Sequence, residues 1–169
     1  LSLLFVAELF TFTALASFED AIQKVIALSL FVPLCISTGG NSGSQAATLI
    51  TRAIALGQVS VRDWFRVLRN ELLMGLALGV TLGTIGFFRA AFTPQRVLGD
   101  VNAWQLALVI SQAVALICLW GTLTGSLLPL IFKRLGFDPG FASSPFVATF
   151  VDVTGIVIYF TIAKAYLLH

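Results

Sequence analysis

Residues 103–132 read AWQLALVISQAVALICLWGTLTGSLLPLIF, a run of 30 residues without one charged side chain. A helix needs about 20 mostly apolar residues to cross the hydrocarbon core of a bilayer. Three further runs have this character, and they cover residues 1–17, 72–93 and 145–168. We therefore interpret the chain as an α-helical membrane protein.

A fifth apolar stretch, residues 21–56, is interrupted by Pro33 and by the segment TGGNSGSQ at residues 38–45. As a straight helix this stretch would extend about 54 Å, much farther than one hydrocarbon core. We interpret it as one kinked span that continues past the bilayer. The predicted fold is all-α and polytopic, with five transmembrane helices per subunit and a kink in the second. A re-entrant pair of half-helices is the alternative, and it would change the number of crossings.

Composition excludes a water-soluble domain. Of the 169 residues, 11% are charged and 58% are apolar, with a mean hydropathy of +0.98, whereas soluble domains carry about a quarter charged residues. The net charge of +2 and the scattered basic residues give no reason to expect a nucleic-acid partner. Two separate cysteines and one histidine, the terminal His169, predict neither a disulfide framework nor a zinc site. We predict no bound cofactor.

Residues 1–169 are predicted to form a single transmembrane domain. The chain begins inside an apolar run and without Met, so we expect that a segment in front of it has been removed. Within the run 72–93, four glycines form a stripe of small residues that predicts close packing against another helix. They are Gly75, Gly79, Gly83 and Gly86.

Basic residues between the runs predict the orientation in the membrane. Residues 52–71 contain four arginines, and Lys133 and Arg134 follow two spans later. Positively charged residues favour the cytoplasmic side of a membrane protein. We predict a multi-pass protein of the plasma (inner) membrane, with a cytoplasmic N-terminus and an extracellular or periplasmic C-terminus.

Asp152 is the polar residue that the composition explains least. It lies seven residues into the run 145–168, and no Lys or Arg stands one helical turn away. Burying an unpaired charge in a membrane is costly. Two interpretations are open: a protonated carboxyl group bonded to another helix, or a carboxylate that faces water and a cation. Ala148, Thr149 and Gly155 make a small and polar face with Asp152 along the same helix, which favours the cation.

A second polar face occurs in the stretch 21–56. Its side chains recur at spacings of three and four, which place them on one side of a helix. Gly40 and the neighbouring glycines allow close approach or non-helical backbone there. The residues of this polar stripe are Thr38, Asn41, Gln45, Thr48 and Arg52.

Amide and hydroxyl groups beside one carboxylate suit a hydrated cation. Mg²⁺ loses its water reluctantly, and one or two carboxylates often hold it through that water. One Asp per chain is few for a divalent ion, and a two-fold dimer would bring two together. We therefore predict a homodimer in the lipid bilayer with the pore near its axis. Glu8 lies in the first apolar run, where a packing role and a role in the ion path are equally open.

Two segments carry a family resemblance. PLCISTGGNSGSQAATLITRAIALG at residues 33–57 resembles the signature of MgtE-type magnesium transporters, and PFVATFVDVTGIVIYF at residues 145–160 is similar to their last pore helix. The resemblance implies a homodimer of five-helix subunits with the second and fifth helices lining the pore. It also implies a hydrated Mg²⁺ between paired Asp152 side chains, near the backbone carbonyl of Ala148.

The resemblance adds further expectations. The predicted pore lining consists of Thr38, Gly40, Asn41, Gln45, Thr48, Ser144, Thr149 and Gly155. In members of that family, an asparagine is expected at the position of Ser144. The regulatory cytosolic domains of the family do not occur in this sequence. Mn²⁺, Co²⁺ and Ca²⁺ are the expected competitors of Mg²⁺.

Two other functions remain to be weighed. A transporter of the same architecture that couples cation movement to sodium or protons is the first alternative. The sequence does not distinguish it from a channel. An intramembrane serine protease is a remote alternative, because Gly40-Asn41-Ser42-Gly43 matches a GxSG pattern. Such a serine needs a nearby base, and His169 is the only histidine. We predict a transporter and not an enzyme.

Overall fold

A computed structural model describes residues 2–167 of the chain, in which helices follow one another with short connections. Leu1, Leu168 and His169 lie outside the described residues. The prediction that concerns His169 as the base of a serine protease therefore falls on a residue that the structure does not describe. Single 3₁₀ turns at Val61–Asp63 and Pro139–Phe141 precede the fourth and seventh helices. The helices are α1 Ser2–Ala16, α2 Glu19–Lys24, α3 Ala27–Ala55, α4 Trp64–Ala91, α5 Gln95–Leu98, α6 Ala103–Arg134 and α7 Ser144–Leu167.

Three of the described helices are long and apolar enough to cross a membrane: α4 with the turn before it, α6 and α7. Helix α1 is apolar but has only 15 residues. Helix α3 has 29 residues, and the polar segment at 38–45 lowers its hydropathy. The all-helical membrane architecture is confirmed, and the count of five transmembrane helices stays a prediction.

The stretch 21–56 is divided differently from the expectation. Helix α2 ends at Lys24, where Val25 leaves the helical conformation with φ −134° and ψ 82°, and α3 starts two residues later. From Ala27 to Ala55 the chain is one continuous helix that includes Pro33 and the polar segment. Two half-helices meeting in that segment, the re-entrant alternative, are therefore not observed. The predicted kink stays a prediction.

Helix α6 lies at the centre of the bundle and contacts α3, α4 and α7. The glycine stripe of α4 packs against it, as the small side chains predicted. A Cβ atom added at Gly79 or Gly83 would lie 2.8 Å from the carbonyl oxygen of Ala115 or Ser111. Only glycine allows the two backbones to approach this closely.

Helix α3 approaches α6 in the same way. A Cβ atom at Gly125 of α6 would collide with the carbonyl oxygen of Gly43, and Gly39 has no room for one because of Ile117. Helix α3 is thereby held in the interior of the bundle despite its polar segment. Its next neighbour is α7, so the two helices with the predicted ion-path residues lie side by side.

The 3₁₀ turn before α4 is closed by a cap. The backbone N–H of Ser60 donates to Oδ2 of Asp63 at 2.9 Å, and the Ser60 hydroxyl donates to the same oxygen at 2.7 Å. These bonds close the turn that leads from the α3–α4 connection into α4. The α3–α4 connection lies at the end of the bundle where α6 ends, and Val67 of α4 belongs to the same apolar cluster as Leu130 of α6 there.

Candidate ion-binding site

Asp152 lies against Gly40, where α3 and α7 run in opposite directions. A Cβ atom added at Gly40 would lie 2.7 Å from Oδ1 of Asp152 and 3.8 Å from the Cβ atom of Ala148. Further along the same seam, a Cβ atom added at Gly43 would lie 3.1 Å from Val147 and 3.3 Å from Val151. The glycines of α3 thus give the carboxyl group direct access to a helix backbone.

The two oxygens of the Asp152 side chain differ in surroundings. Oδ1 is buried and has no hydrogen-bond partner among the described residues, while the residue as a whole is partly exposed. Within residues 2–167, Oδ1 forms no hydrogen bond with another helix. Such a bond was the structural interpretation of Asp152. A buried acceptor without a donor is costly, so this oxygen is chemically suited to a ligand.

The polar stripe of α3 follows the seam on its open side. Asn41, Gln45, Thr48 and Arg52 are exposed, and Thr38 is half-buried. The hydroxyl of Thr38 donates to the carbonyl oxygen of Leu34 at 2.8 Å, which leaves it free only as an acceptor. Within this stripe, the amides of Asn41 and Gln45 are the exposed polar groups nearest in sequence to Gly40, and Nδ2 of Asn41 donates to the hydroxyl oxygen of Ser37 at 3.2 Å.

Ser144 is tied to α3 by hydrogen bonds. Its hydroxyl donates to the carbonyl oxygen of Ser44 at 2.9 Å, and the hydroxyl of Ser44 donates to the carbonyl oxygen of Ser144 at 3.1 Å. The oxygen of Thr48 lies 3.1 Å from that of Ser144. Sequence reasoning did not single out Ser44, although its position one turn after Gly40 would have been a signal.

The remaining predicted pore residues of α7 lie on other contacts. Thr149 is buried and donates to the carbonyl oxygen of Pro145 at 3.0 Å. It also lines an apolar cavity of about 180 Å³ between α1 and α7. Gly155 is buried, and a Cβ atom there would lie 3.4 Å from Ile117 of α6. Their place in the pore lining stays a prediction.

Glu8 of α1 is the second acidic group of this region. Its side chain is exposed and lines a cavity of about 720 Å³ together with Pro145, near the start of α7. Helix α1 packs against α7, which places Glu8 within electrostatic reach of Asp152. Within residues 2–167, no group of three or more His, Cys, Asp or Glu residues is placed to hold a metal ion. Any cation here would meet one or two carboxylates and keep much of its water.

The long apolar helices of this bundle define a helical membrane protein. A family model described as "MgtE: Divalent cation transporter" matches residues 32–162. The chain therefore belongs to the MgtE family. This is a family of transporters and not of enzymes, so the protease interpretation is excluded.

Three curated relatives match nearly the whole chain, and each is named "Magnesium transporter MgtE". The protein of Thermus thermophilus is 38% identical over 164 residues, which are 97% of this chain and 35% of the relative. That of Enterococcus faecalis is 30% identical over 93% of this chain and 33% of its own length. That of Bacillus subtilis is 29% identical over 99% and 36%. The chain thus spans about a third of the length of these relatives.

Proposed function

We propose that this chain is the ion-conducting domain of a magnesium transporter and that Asp152 binds the ion on its way through the membrane. The observation that carries this proposal is Oδ1 of Asp152, which is buried against Gly40 without a hydrogen-bond partner among the described residues. A hydrated cation beside this carboxyl group would supply opposite charge, and its water would donate to the exposed part of the side chain. The family and the names of the relatives support Mg²⁺ as the cargo.

The proposed subunit has five transmembrane helices: α1, α3, α4, α6 and α7, with α3 kinked at Pro33. At 1.5 Å per residue, α3 is about 43 Å long, which is enough to cross despite its polar segment. The ends that carry Arg52, Arg62, Arg66 and Lys133 share one side of the bundle, which would face the cytoplasm. Helix α1 then starts inside and α7 ends outside, in the plasma membrane.

A homodimer would complete the site. One carboxylate is few for a divalent cation, and a two-fold axis beside α3 and α7 would bring two copies of Asp152 together. The exposed amides of Asn41 and Gln45 would then face the same water-filled path, and the backbone carbonyl of Ala148 would contact the water of the ion. Thr38, Gly40, Thr48, Ser144, Thr149 and Gly155 complete the proposed lining.

Passive conduction is the proposed mode of transport. An inside-negative potential gives a divalent ion about 4.6 kcal/mol per 100 mV, twice the value for a single charge. This free energy is sufficient to drive uptake if the site binds the hydrated ion weakly enough to release it. Mn²⁺, Co²⁺ and Ca²⁺ would compete through the same oxygen ligands.

Exchange coupled to sodium or protons is the second candidate, because Glu8 places a further acidic group in electrostatic reach of Asp152. A deeply buried Glu8 would favour coupling, but its side chain is exposed in the single chain, which favours passive conduction. Uptake that follows the potential and is unchanged by imposed sodium or pH gradients supports the channel. Uptake that requires either gradient supports the exchanger.

The direct test is Mg²⁺ uptake into proteoliposomes under an inside-negative potential. We expect the wild-type chain to carry Mg²⁺, and Asp152→Asn and Asp152→Ala to lose uptake while they elute as folded dimers. Asp100→Asn is the matched control, because Asp100 is exposed in the connection before α6. Uptake by the Asp152 variants at the wild-type rate would show that this residue is structural and that the proposed mechanism is wrong.

A further inference from the structure

The start of α7 is joined to α3 by a group of side chains that we call the serine clasp: Ser44, Thr48 and Ser144. Ser44 and Ser144 each donate a hydroxyl hydrogen to the backbone carbonyl of the other, at 3.1 and 2.9 Å. The oxygen of Thr48 lies 3.1 Å from that of Ser144. Because the two serine bonds are reciprocal, each depends on both helices keeping the same relative position.

The serine clasp lies on the same seam as the carboxyl group of Asp152. Ser44 is one turn after Gly40 in α3, and Ser144 is eight residues, about 12 Å, before Asp152 in α7. The two helices run in opposite directions. Ser44 therefore faces Ser144 near the start of α7, and Gly40 faces Asp152 further along α7. Between these two pairs, a Cβ atom added at Gly43 would lie 3.1 Å from a side-chain carbon of Val147 and 3.3 Å from one of Val151. The seam has little space in which α7 can adjust.

We propose that the serine clasp sets the register of α7 on α3 and so holds Asp152 at Gly40 throughout transport. This inference rests on the proposed function, because Asp152 is the group that is being positioned. A slip of one residue would move α7 by 1.5 Å and turn it by 100°, which would take the carboxyl group off the seam. Ser44 and Ser144 are therefore positioning residues that act through Asp152. Helices α3 and α7 move as one unit, and the path opens at other contacts.

Hydroxyl chemistry suits this positioning role. The single hydroxyl hydrogen of Ser144 is donated to Ser44, and its oxygen lies beside Thr48. A serine side chain is short enough to bond the facing backbone directly.

A cross-link tests whether the register stays constant. Ser44→Cys and Ser144→Cys are combined in the full chain, and the oxidised protein is assayed for Mg²⁺ uptake in proteoliposomes. Cys35 and Cys118 are buried, and mass spectrometry of the joined peptides identifies the new bond. We expect the cross-link to form and the oxidised protein to carry Mg²⁺ at the rate of its reduced form. Loss of uptake that returns on reduction would overturn the proposal, and so would failure of the cross-link to form.

Concentration dependence tests the link to the ion. Loss of a hydrogen bond that positions a ligand should raise the half-saturating Mg²⁺ concentration of Ser144→Ala about three- to tenfold, with little change in the maximal rate. Ser144→Thr retains the hydroxyl and should restore the wild-type value. If the two serines act as a unit, the Ser44→Ala/Ser144→Ala pair should be no worse than the stronger single change.

Ser143→Ala is the control, because Ser143 is the exposed neighbour of Ser144. An unchanged half-saturating concentration in both Ser44→Ala and Ser144→Ala would overturn the positioning role. Such a result, with wild-type uptake intact and Asp152→Asn inactive, would leave the proposed function standing. Absence of uptake by the wild-type chain would instead contradict the proposed function itself.

Discussion

Gly40 of α3 and Asp152 of α7 are packed so closely that a Cβ atom on the glycine would lie 2.7 Å from Oδ1 of the carboxyl group. The glycine therefore determines how far the acidic side chain can enter the bundle. Any side chain at position 40 would push the carboxyl group away from α3 or separate the two helices. The consequence can be tested without changing the charged residue.

Gly40→Ala should abolish most Mg²⁺ uptake, because the new methyl group would occupy the place of Oδ1. The added methyl group would strain the seam by about 1–3 kcal/mol, a typical value for overpacking. Uptake and thermal stability measured on the same preparation separate loss of the site from loss of the fold. Gly86→Ala is the control, since its nearest neighbour is a side-chain atom of Ile110 at 3.3 Å. Full uptake by Gly40→Ala would contradict the close contact.

Gly79→Ala should lower stability by separating α4 from α6. A Cβ atom there would lie 2.8 Å from the carbonyl oxygen of Ala115, and backbone cannot yield as a side chain can. We expect the free energy of unfolding to fall by about 1–3 kcal/mol. This loss should lower the temperature at which the protein aggregates in detergent. The same change at Gly86 meets only side-chain atoms, of Ile110 at 3.3 Å and Val114 at 3.6 Å, and should cost less. Equal stability of the two variants would argue against backbone contact at Gly79.

Tyr159→Phe should destabilise the protein while leaving the ion site in place. The buried hydroxyl of Tyr159 donates to the carbonyl oxygen of Leu28 at 2.8 Å and joins α7 to the start of α3. Loss of this bond should cost about 0.5–1.5 kcal/mol with an unchanged half-saturating Mg²⁺ concentration. Tyr166→Phe, at an exposed hydroxyl that bonds Gln112, serves for comparison and should have less effect. A changed half-saturating concentration in Tyr159→Phe would mean that this bond also positions the site.

Glu8→Gln should weaken cation binding, because the charge of Glu8 acts on the same region as Asp152. Removing one nearby negative charge should raise the half-saturating Mg²⁺ concentration about two- to fivefold. The effect should shrink as ionic strength rises. Glu19→Gln is the matched control, because Glu19 is exposed on α2 and bonds only its own helix through Gln23. Identical binding curves for wild type and Glu8→Gln would assign Glu8 a packing role.

The class of the protein followed from local properties of the chain. Long apolar runs, few charges and the segments around Gly40 and Asp152 predicted a helical membrane protein and its family. The stripe of glycines on α4 also predicted its own packing, because residues three and four apart share one face of a helix. The junction at Val25 was not foreseen, although the polar pair Gln23 and Lys24 stands directly before it.

Hydropathy and periodicity describe one helix at a time, and for this reason they predicted the apolar helices, the polar stripe of α3 and Asp152 as a candidate ion-binding residue. They do not determine how each helix is rotated about its axis or how far it is shifted along its neighbour. Packing across the bundle decided those quantities, because backbone contacts at Gly43, Gly79 and Gly125 allow one close arrangement of α3, α4 and α6. Only the tertiary structure could therefore place Gly40 at Asp152 and Ser44 at Ser144.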